Sequence, residues 1–234
     1  MNRQMGRAEA QVVTMANVYG YMCLGLIISG IMAWIFAYVP EFNNFLYTAT
    51  SDGMQTLSIA GWIVLVAPLI MVLVAGFVIK DMDSGALLIF FIIFSLLMGA
   101  SLSSIFLVYT EASILQCFLI TGGTFGVMSL YGYSTKKDLS SWGNLLIMAL
   151  IGIIIAMFVN IFLKSAMMDF IVSIIAVIVF VGLTAYDTQK IKEELGYSCD
   201  RETCKKIAIW GALSLYLDFI NLLLQILKLL GKKK

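Results

Sequence analysis

Two aspartates stand out because each lies in an apolar stretch long enough to enter a lipid bilayer. Asp187 lies in "VGLTAYDTQK" and Asp218 in "LSLYLDFINLLLQILKLLG". A carboxylate at membrane depth takes up a proton, pairs with a cation or shares a proton with a second acid. Two carboxyls sharing one proton ionise in separate steps, so they sense pH without histidine, which this chain lacks. When both are ionised, they offer oxygen ligands that suit Ca²⁺.

Other polar residues lie on the same helical faces as these acids. Thr184, Asp187 and Thr188 lie at positions i, i+3 and i+4 of a single helix and so share one face. In the last segment a polar seam recurs at i, i+4, i+7, i+11 and i+14, formed by Ser214, Asp218, Asn221, Gln225 and Lys228. The seam must face protein or water, not lipid. Either these groups only bond helices together or they form a proton or cation pathway, and we favour the second because intramembrane acids usually mark pathways.

Composition places the chain among integral membrane proteins, because 61% of its 234 residues are hydrophobic and only 12% are charged. Seven apolar segments, each about 20 residues long, are predicted at 18–39, 56–79, 85–109, 112–133, 142–163, 168–188 and 207–229. Since each span must satisfy its own backbone, we expect an all-α bundle. Residues 18–231 form one domain between an N-terminal segment, 1–17, and a basic tail, 232–234.

Three local features carry structural expectations. Pro68 in the second span should remove a helical hydrogen bond and free a carbonyl group. The pairs Gly122–Gly126, Gly152–Ala156 and Gly25–Ser29 have the small-residue spacing that lets helices approach closely. Cys199 and Cys204, in a polar loop, are expected to be reduced thiols.

The lysines and arginines alternate between loops, which by the positive-inside rule places the N-terminus in the cytoplasm. Six crossings return the chain to that side, so a seventh would export the terminal "KLLGKKK". Either the last segment is only half inserted, with both ends cytoplasmic, or it departs from the rule. We favour half insertion and hence a cytoplasmic C-terminus.

Several function classes are disfavoured by the residue inventory. A net charge of +1 and the lack of a basic stripe argue against nucleic acid as a partner. With no histidine, no cysteine paired with a base and no metal-ligand cluster, we expect neither an enzyme nor a cofactor. The expected partners are the lipid bilayer, protons and Ca²⁺.

Three motifs resemble the transmembrane Bax-inhibitor-motif family, specifically its bacterial inner-membrane members: "FVGLTAYDTQKIK", "LSLYLDFINLLLQILKLLG" and "LYGYSTKKDLS". The resemblance implies six helices surrounding a central seventh helix and a pH-sensitive calcium leak. It also implies a proton-sensing pair formed by Asp187 and Asp218, which are the candidate Ca²⁺ ligands. Lys228 stands where some members have arginine. An arginine that some members carry in the second helix, where it pairs with the first Asp, has no counterpart here.

Two functions therefore compete. The first is a pH-gated cation leak, in which Glu111 would attract cations unless it is an ordinary solvated charge. The second is a non-conducting regulator that binds a membrane protease or a stress-pathway protein. The family's association with quality control supports this alternative.

Overall fold

A computed structural model describes residues 2–49, 55–78, 82–196 and 200–234. Lys80 and Cys199 lie outside these ranges. The described helices are α1 Asn2–Tyr38, α2 Pro40–Leu46, α3 Ile59–Val78, α4 Ser84–Val108, α5 Glu111–Ser134, α6 Ser140–Leu163, α7 Ala166–Gly196 and α8 Arg201–Leu230. Two short strands, β1 Tyr47–Ala49 and β2 Gln55–Leu57, pair antiparallel with Tyr47 opposite Leu57. Seven of the described helices are long and apolar enough to span a membrane, which confirms the predicted all-α class.

Helix α8 is the central helix. Its most apolar stretch is 67% buried, against at most 33% for any other described span. It packs chiefly against α1, α4, α5 and α7, whereas α3 packs on α4 and α6 packs on α7 at the periphery. Helix α8 can be buried because, from residue 207 onward, its side chains outside the polar seam are almost all apolar. The predicted central position of the last helix is therefore confirmed.

Pro68 does free a carbonyl group, and α4 supplies its partner. Proline has no N–H to donate to the residue four positions earlier, which is Val64. The Ser101 hydroxyl on α4 lies 2.7 Å from the Val64 carbonyl oxygen and also 2.9 Å from that of Leu97. A hydrogen bond between helices thus replaces the one within α3.

Of the predicted small-residue pairs, Gly25–Ser29 on α1 lies at a close helix contact, because a Cβ at Gly25 would collide with the Phe91 ring on α4. No atom of another element lies within 4 Å of the position of a Cβ at Gly122, Gly126 or Gly152. A Cβ at Gly132 on α5, in contrast, would collide with the Ala185 carbonyl group on α7. The spacing pattern was wrong for the pairs in α5 and α6 because it does not show which face of an apolar helix meets protein and which meets lipid.

The two ends of the bundle are fixed by contacts between elements. At the N-terminal end, where α1 begins, the Ser84 backbone N–H donates to Glu202 near the start of α8 at 2.6 Å. At the C-terminal end, the Tyr38 hydroxyl at the end of α1 donates to Glu111 at 2.6 Å. We use these two names for the ends below.

Helix α8 runs from one end of the bundle to the other, while its half insertion and a cytoplasmic C-terminus stay predictions. Its 30 residues span about 45 Å at 1.5 Å per residue. Beyond it, the Lys232 carbonyl oxygen accepts from the Thr110 N–H at 3.0 Å, and the Lys234 N–H donates to the Val108 carbonyl oxygen at 2.9 Å. The last residues therefore lie at the C-terminal end of the bundle, opposite the start of α1. The terminal lysines are accommodated there because backbone groups of the α4–α5 turn bind them.

Cys204 is disulfide-bonded, which corrects the expectation of a reduced thiol.

Candidate ion and proton site

Asp218 is buried in the middle of the central helix. Its side chain is only 6% exposed. Its Oδ2 atom is shielded from solvent and has no hydrogen-bond partner among the described residues. Nearby on α8, Tyr216 packs edge-on against Phe91 and Phe94, with ring centroids 5.8 and 5.9 Å apart. Buried polar atoms are almost always paired, so an unpaired carboxylate oxygen in this setting indicates a proton, an ion or water as its partner.

Asp187 interacts electrostatically with Asp218. It lies on α7, which packs against α8 along much of its length, and its side chain is half-buried. The charge of Asp187 acts on Asp218, and their role as a proton-sensing pair stays a prediction. Asp187 also interacts with the charges of Lys190 and Glu194, toward the N-terminal end of the bundle.

An open pocket lies against α7 at that end. It has a volume of about 260 Å³ and is lined by Ser140, Tyr186, Gln189, Lys190, Glu193 and Glu194, so Asp187 itself is not part of its lining. The acids and the lysine make this pocket polar. Sequence analysis missed the pocket because these residues look like an ordinary solvated helix end.

The two predicted threonines are fully buried and belong to a directed hydrogen-bond chain. The Thr184 hydroxyl donates to the Phe180 carbonyl oxygen at 2.8 Å, and the Thr188 hydroxyl donates to the Thr184 carbonyl oxygen at 2.7 Å. Since the Thr188 proton is used, Thr188 accepts from Ser129 at 3.0 Å. Ser129 in turn accepts from the Tyr19 hydroxyl at 2.6 Å. The chain links α1, α5 and α7 beside Asp187. No sequence pattern pointed to Ser129 or Tyr19, because only the fold brings them to α7.

The seam on α8 divides into parts with different surroundings. Ser214 and Asn221 are half-buried, and the Asn221 amide donates to the Leu217 carbonyl oxygen at 2.8 Å. Gln225 is 5% exposed, and its Oε1 is a second buried oxygen with no partner among the described residues. Lys228 is exposed and pairs with Asp169 on α7 at 3.0 Å. Asp169 was not predicted as a site residue.

Glu111 is exposed at the start of α5 and accepts the hydrogen bond from Tyr38 described above. It lies at the C-terminal end of the bundle, whereas the pocket against α7 lies at the N-terminal end. Glu111 is therefore not part of the same cluster as the two aspartates.

Comparison with known proteins agrees with this architecture. The sequence profile of the family described as "Inhibitor of apoptosis-promoting Bax1" matches residues 11–234. The chain belongs to this family. It is 47% identical to "Inner membrane protein YbhL" of Escherichia coli (strain K12), over 94% of this chain and 92% of that protein. It is also 40% identical to an uncharacterized protein of Borreliella burgdorferi, over 94% of this chain and 92% of that protein.

This Bax1-family chain is thus a multi-pass membrane protein, and the resemblance read from its motifs is confirmed. The Asp187–Asp218 pair stays a predicted Ca²⁺ site. The described residues of this family member contain no group of three or more cysteine, aspartate or glutamate side chains that could hold a metal ion. Ca²⁺ prefers six to eight oxygen ligands, so two carboxylates suit a passing, partly hydrated cation better than a permanently bound one.

Proposed function

We propose that this protein is a pH-sensitive cation leak, with Ca²⁺ as the foremost permeant ion and with Asp187 and Asp218 as its proton-sensing pair. The observation that supports the proposal most directly is the buried, unpartnered Oδ2 of Asp218 within the electrostatic reach of Asp187. A buried carboxylate without a partner is costly. A protein retains such a group where a proton or ion can occupy it.

The mechanism follows from the charge on the pair. When the pair holds a proton, one negative charge is removed and α8 packs closely on α7. When the proton leaves, two like charges repel each other in an apolar setting, which favours separation of the helices and entry of water along the seam. The cation then replaces the proton as the partner of the carboxylates.

For the orientation, we place the chain in the bacterial inner membrane by its likeness to an inner-membrane protein. By the positive-inside rule, the N-terminal end of the bundle faces the cytoplasm. The pocket lined by Lys190, Glu193 and Glu194 is then on the cytoplasmic side, and Lys228 and Asp169 lie toward the other side. Helix α3 contains no cation within Ile59–Val78, so closure depends on the acid pair rather than on an arginine from that helix.

The proposal is tested with the purified protein in liposomes containing a Ca²⁺ indicator, across a pH series. We expect the wild-type flux to depend on pH, and we expect both Asp187→Asn and Asp218→Asn to flatten that dependence. A matched control is Asp138→Asn in the α5–α6 connection. Hydrogen bonds from Ser140 hold the pKa of the Asp138 carboxyl below its usual value, so this exposed acid stays ionised near neutral pH and cannot supply the response.

Unchanged flux curves in both site variants would reject the pair as the sensor. A complete lack of flux in wild-type liposomes, together with a stoichiometric protein that copurifies from membranes, would favour the non-conducting regulator instead.

A further inference from the structure

Gln225 occupies a position on α8 that the proton-sensing pair does not explain. It lies seven residues after Asp218, on the same helical face, which places it about 10 Å farther along the helix axis. Both residues carry a buried oxygen without a hydrogen-bond partner, and these are the two such side-chain atoms found in the described part of the chain.

The polar groups beside Gln225 on α8 are already engaged. The Asn221 amide donates to the Leu217 carbonyl oxygen, and the Lys228 ammonium group pairs with Asp169. The neighbours Leu222, Ile226 and Leu227 belong to an apolar cluster with residues of α5, α6 and α7. Asn221 and Lys228 therefore offer no donor to Gln225. A buried amide oxygen without any hydrogen bond would destabilise the protein.

The other buried glutamine of the described chain shows what a purely structural role looks like. Gln189 on α7 is 7% exposed. Its Oε1 accepts from the Leu139 N–H at 2.8 Å, and its Nε2 donates to the Lys137 carbonyl oxygen at 2.8 Å. Gln189 thus fastens the α5–α6 connection to α7 with both ends of its amide. Gln225 has no such arrangement for its oxygen.

We infer that Gln225 is a second station for the permeant cation, at which its amide oxygen binds a partly hydrated cation or the water that accompanies it. The inference rests on the proposed function. A neutral oxygen can replace part of the hydration shell of a cation without adding the charge that would hold the ion tightly. A cation leaving Asp218 would meet Gln225 before it reaches the exposed Lys228–Asp169 pair at the C-terminal end of the bundle. Two stations in series let an ion bind and still leave.

The first test is a crystal structure of the wild-type protein, soaked with Ba²⁺ as an electron-rich substitute for Ca²⁺. We expect a water or a Ba²⁺ anomalous peak within bonding distance of Gln225 Oε1. If protein atoms alone surround that oxygen, the inference is overturned. This test needs no variant and so does not depend on whether a substitution folds.

The second test is Ca²⁺ flux through Gln225→Leu in liposomes, with Leu224→Met as a control on the neighbouring position. We expect the Gln225→Leu flux to fall about tenfold, the change produced by about 1.4 kcal/mol in a barrier, with its pH dependence kept. The control should stay within about twofold of wild type.

The two proposals fail in different ways. If Asp218→Asn flattens the pH response but Gln225→Leu conducts like wild type, the second station is wrong and the leak stands. If neither aspartate variant alters the flux curve, the proposed sensor fails, and the density at Gln225 then decides the second station independently.

Discussion

The Tyr216 hydroxyl on the central helix lies 2.6 Å from Ser29 Oγ on α1. Ser29 donates its own proton to the Ser95 carbonyl oxygen on α4 at 2.8 Å, so the tyrosine is the donor to Ser29. This buried contact joins α1, α4 and α8, and it holds α8 on the side of the bundle away from α7. Movement between α7 and α8 can then occur without loss of the contact to α1 and α4.

We predict that Tyr216→Phe lowers the free energy of unfolding by about 1 kcal/mol, because it removes one buried hydrogen bond and leaves the ring packing in place. Thermal unfolding in detergent measures the change. The control is Tyr131→Phe, since the Tyr131 side chain is exposed and its variant should unfold like wild type. Equal stability of the two variants would show that the Tyr216–Ser29 contact contributes nothing.

The glycines of α5 provide a matched pair for testing helix contacts. A Cβ at Gly132 would collide with the Ala185 carbonyl group, whereas one at Gly122 would meet no other element within 4 Å. Gly132→Ala should therefore destabilise the protein by about 1–3 kcal/mol, as overpacking does. Gly122→Ala should be neutral or stabilising by up to about 1 kcal/mol, because alanine favours helix. The opposite order in a thermal unfolding series would mean that α5 is rotated relative to α7.

The glycine result shows which part of the fold the sequence can predict. Hydropathy is a local property, so the seven spans and the helical class could be predicted. The meeting of Asp187 and Asp218 could also be predicted, because consecutive helices with a short connection pack side by side. The contact of Gly132 with Ala185 could not, since lipid-facing and protein-facing surfaces of these helices are both apolar.

The path of α8 could not be predicted for a related reason. The charge of the terminal lysines favoured a cytoplasmic end. Their actual partners are backbone carbonyl groups, as in the 2.7 Å bond from Lys234 Nζ to Phe106, and Asp169 on another helix. These partners lie far away in sequence, so the charge pattern alone could not show which elements bind the last residues. Gln225 could be placed on the seam, but its missing partner is visible only once the neighbouring helices are packed.

The Pro68–Ser101 arrangement predicts a coupling between two substitutions. Ser101→Ala leaves the Val64 carbonyl oxygen without its donor from α4 and should cost about 1 kcal/mol. In a Pro68→Ala background the restored N–H can bond Val64 within α3, so the same serine substitution should cost less. A double-mutant cycle by thermal unfolding measures the difference. Strict additivity of the two changes would show that Ser101 does not replace the helical bond lost at proline.

The acid pair should also change how the stability of the protein depends on pH. Ionising Asp218 places a charge beside apolar side chains with no hydrogen bond to Oδ2, so the stability of the wild-type protein should decline as the pH rises from mildly acidic to mildly alkaline values. Asp218→Asn should remove most of that decline, because the amide cannot ionise. Asp187→Asn should remove only part of it, because it relieves the repulsion by Asp187 but leaves Asp218 buried.

Thermal unfolding in detergent from about pH 5 to 9 measures this order, and the upper limit stays below the ordinary pKa of tyrosine and lysine, about 10. Asp138→Asn is again the control, since that acid is exposed and stays ionised throughout the series. A wild-type slope that persists in Asp218→Asn would place the titrating group elsewhere. If Asp187→Asn reduced the pH-dependent decline in stability more than Asp218→Asn does, the decline would come from ionisation of Asp187 and not of Asp218.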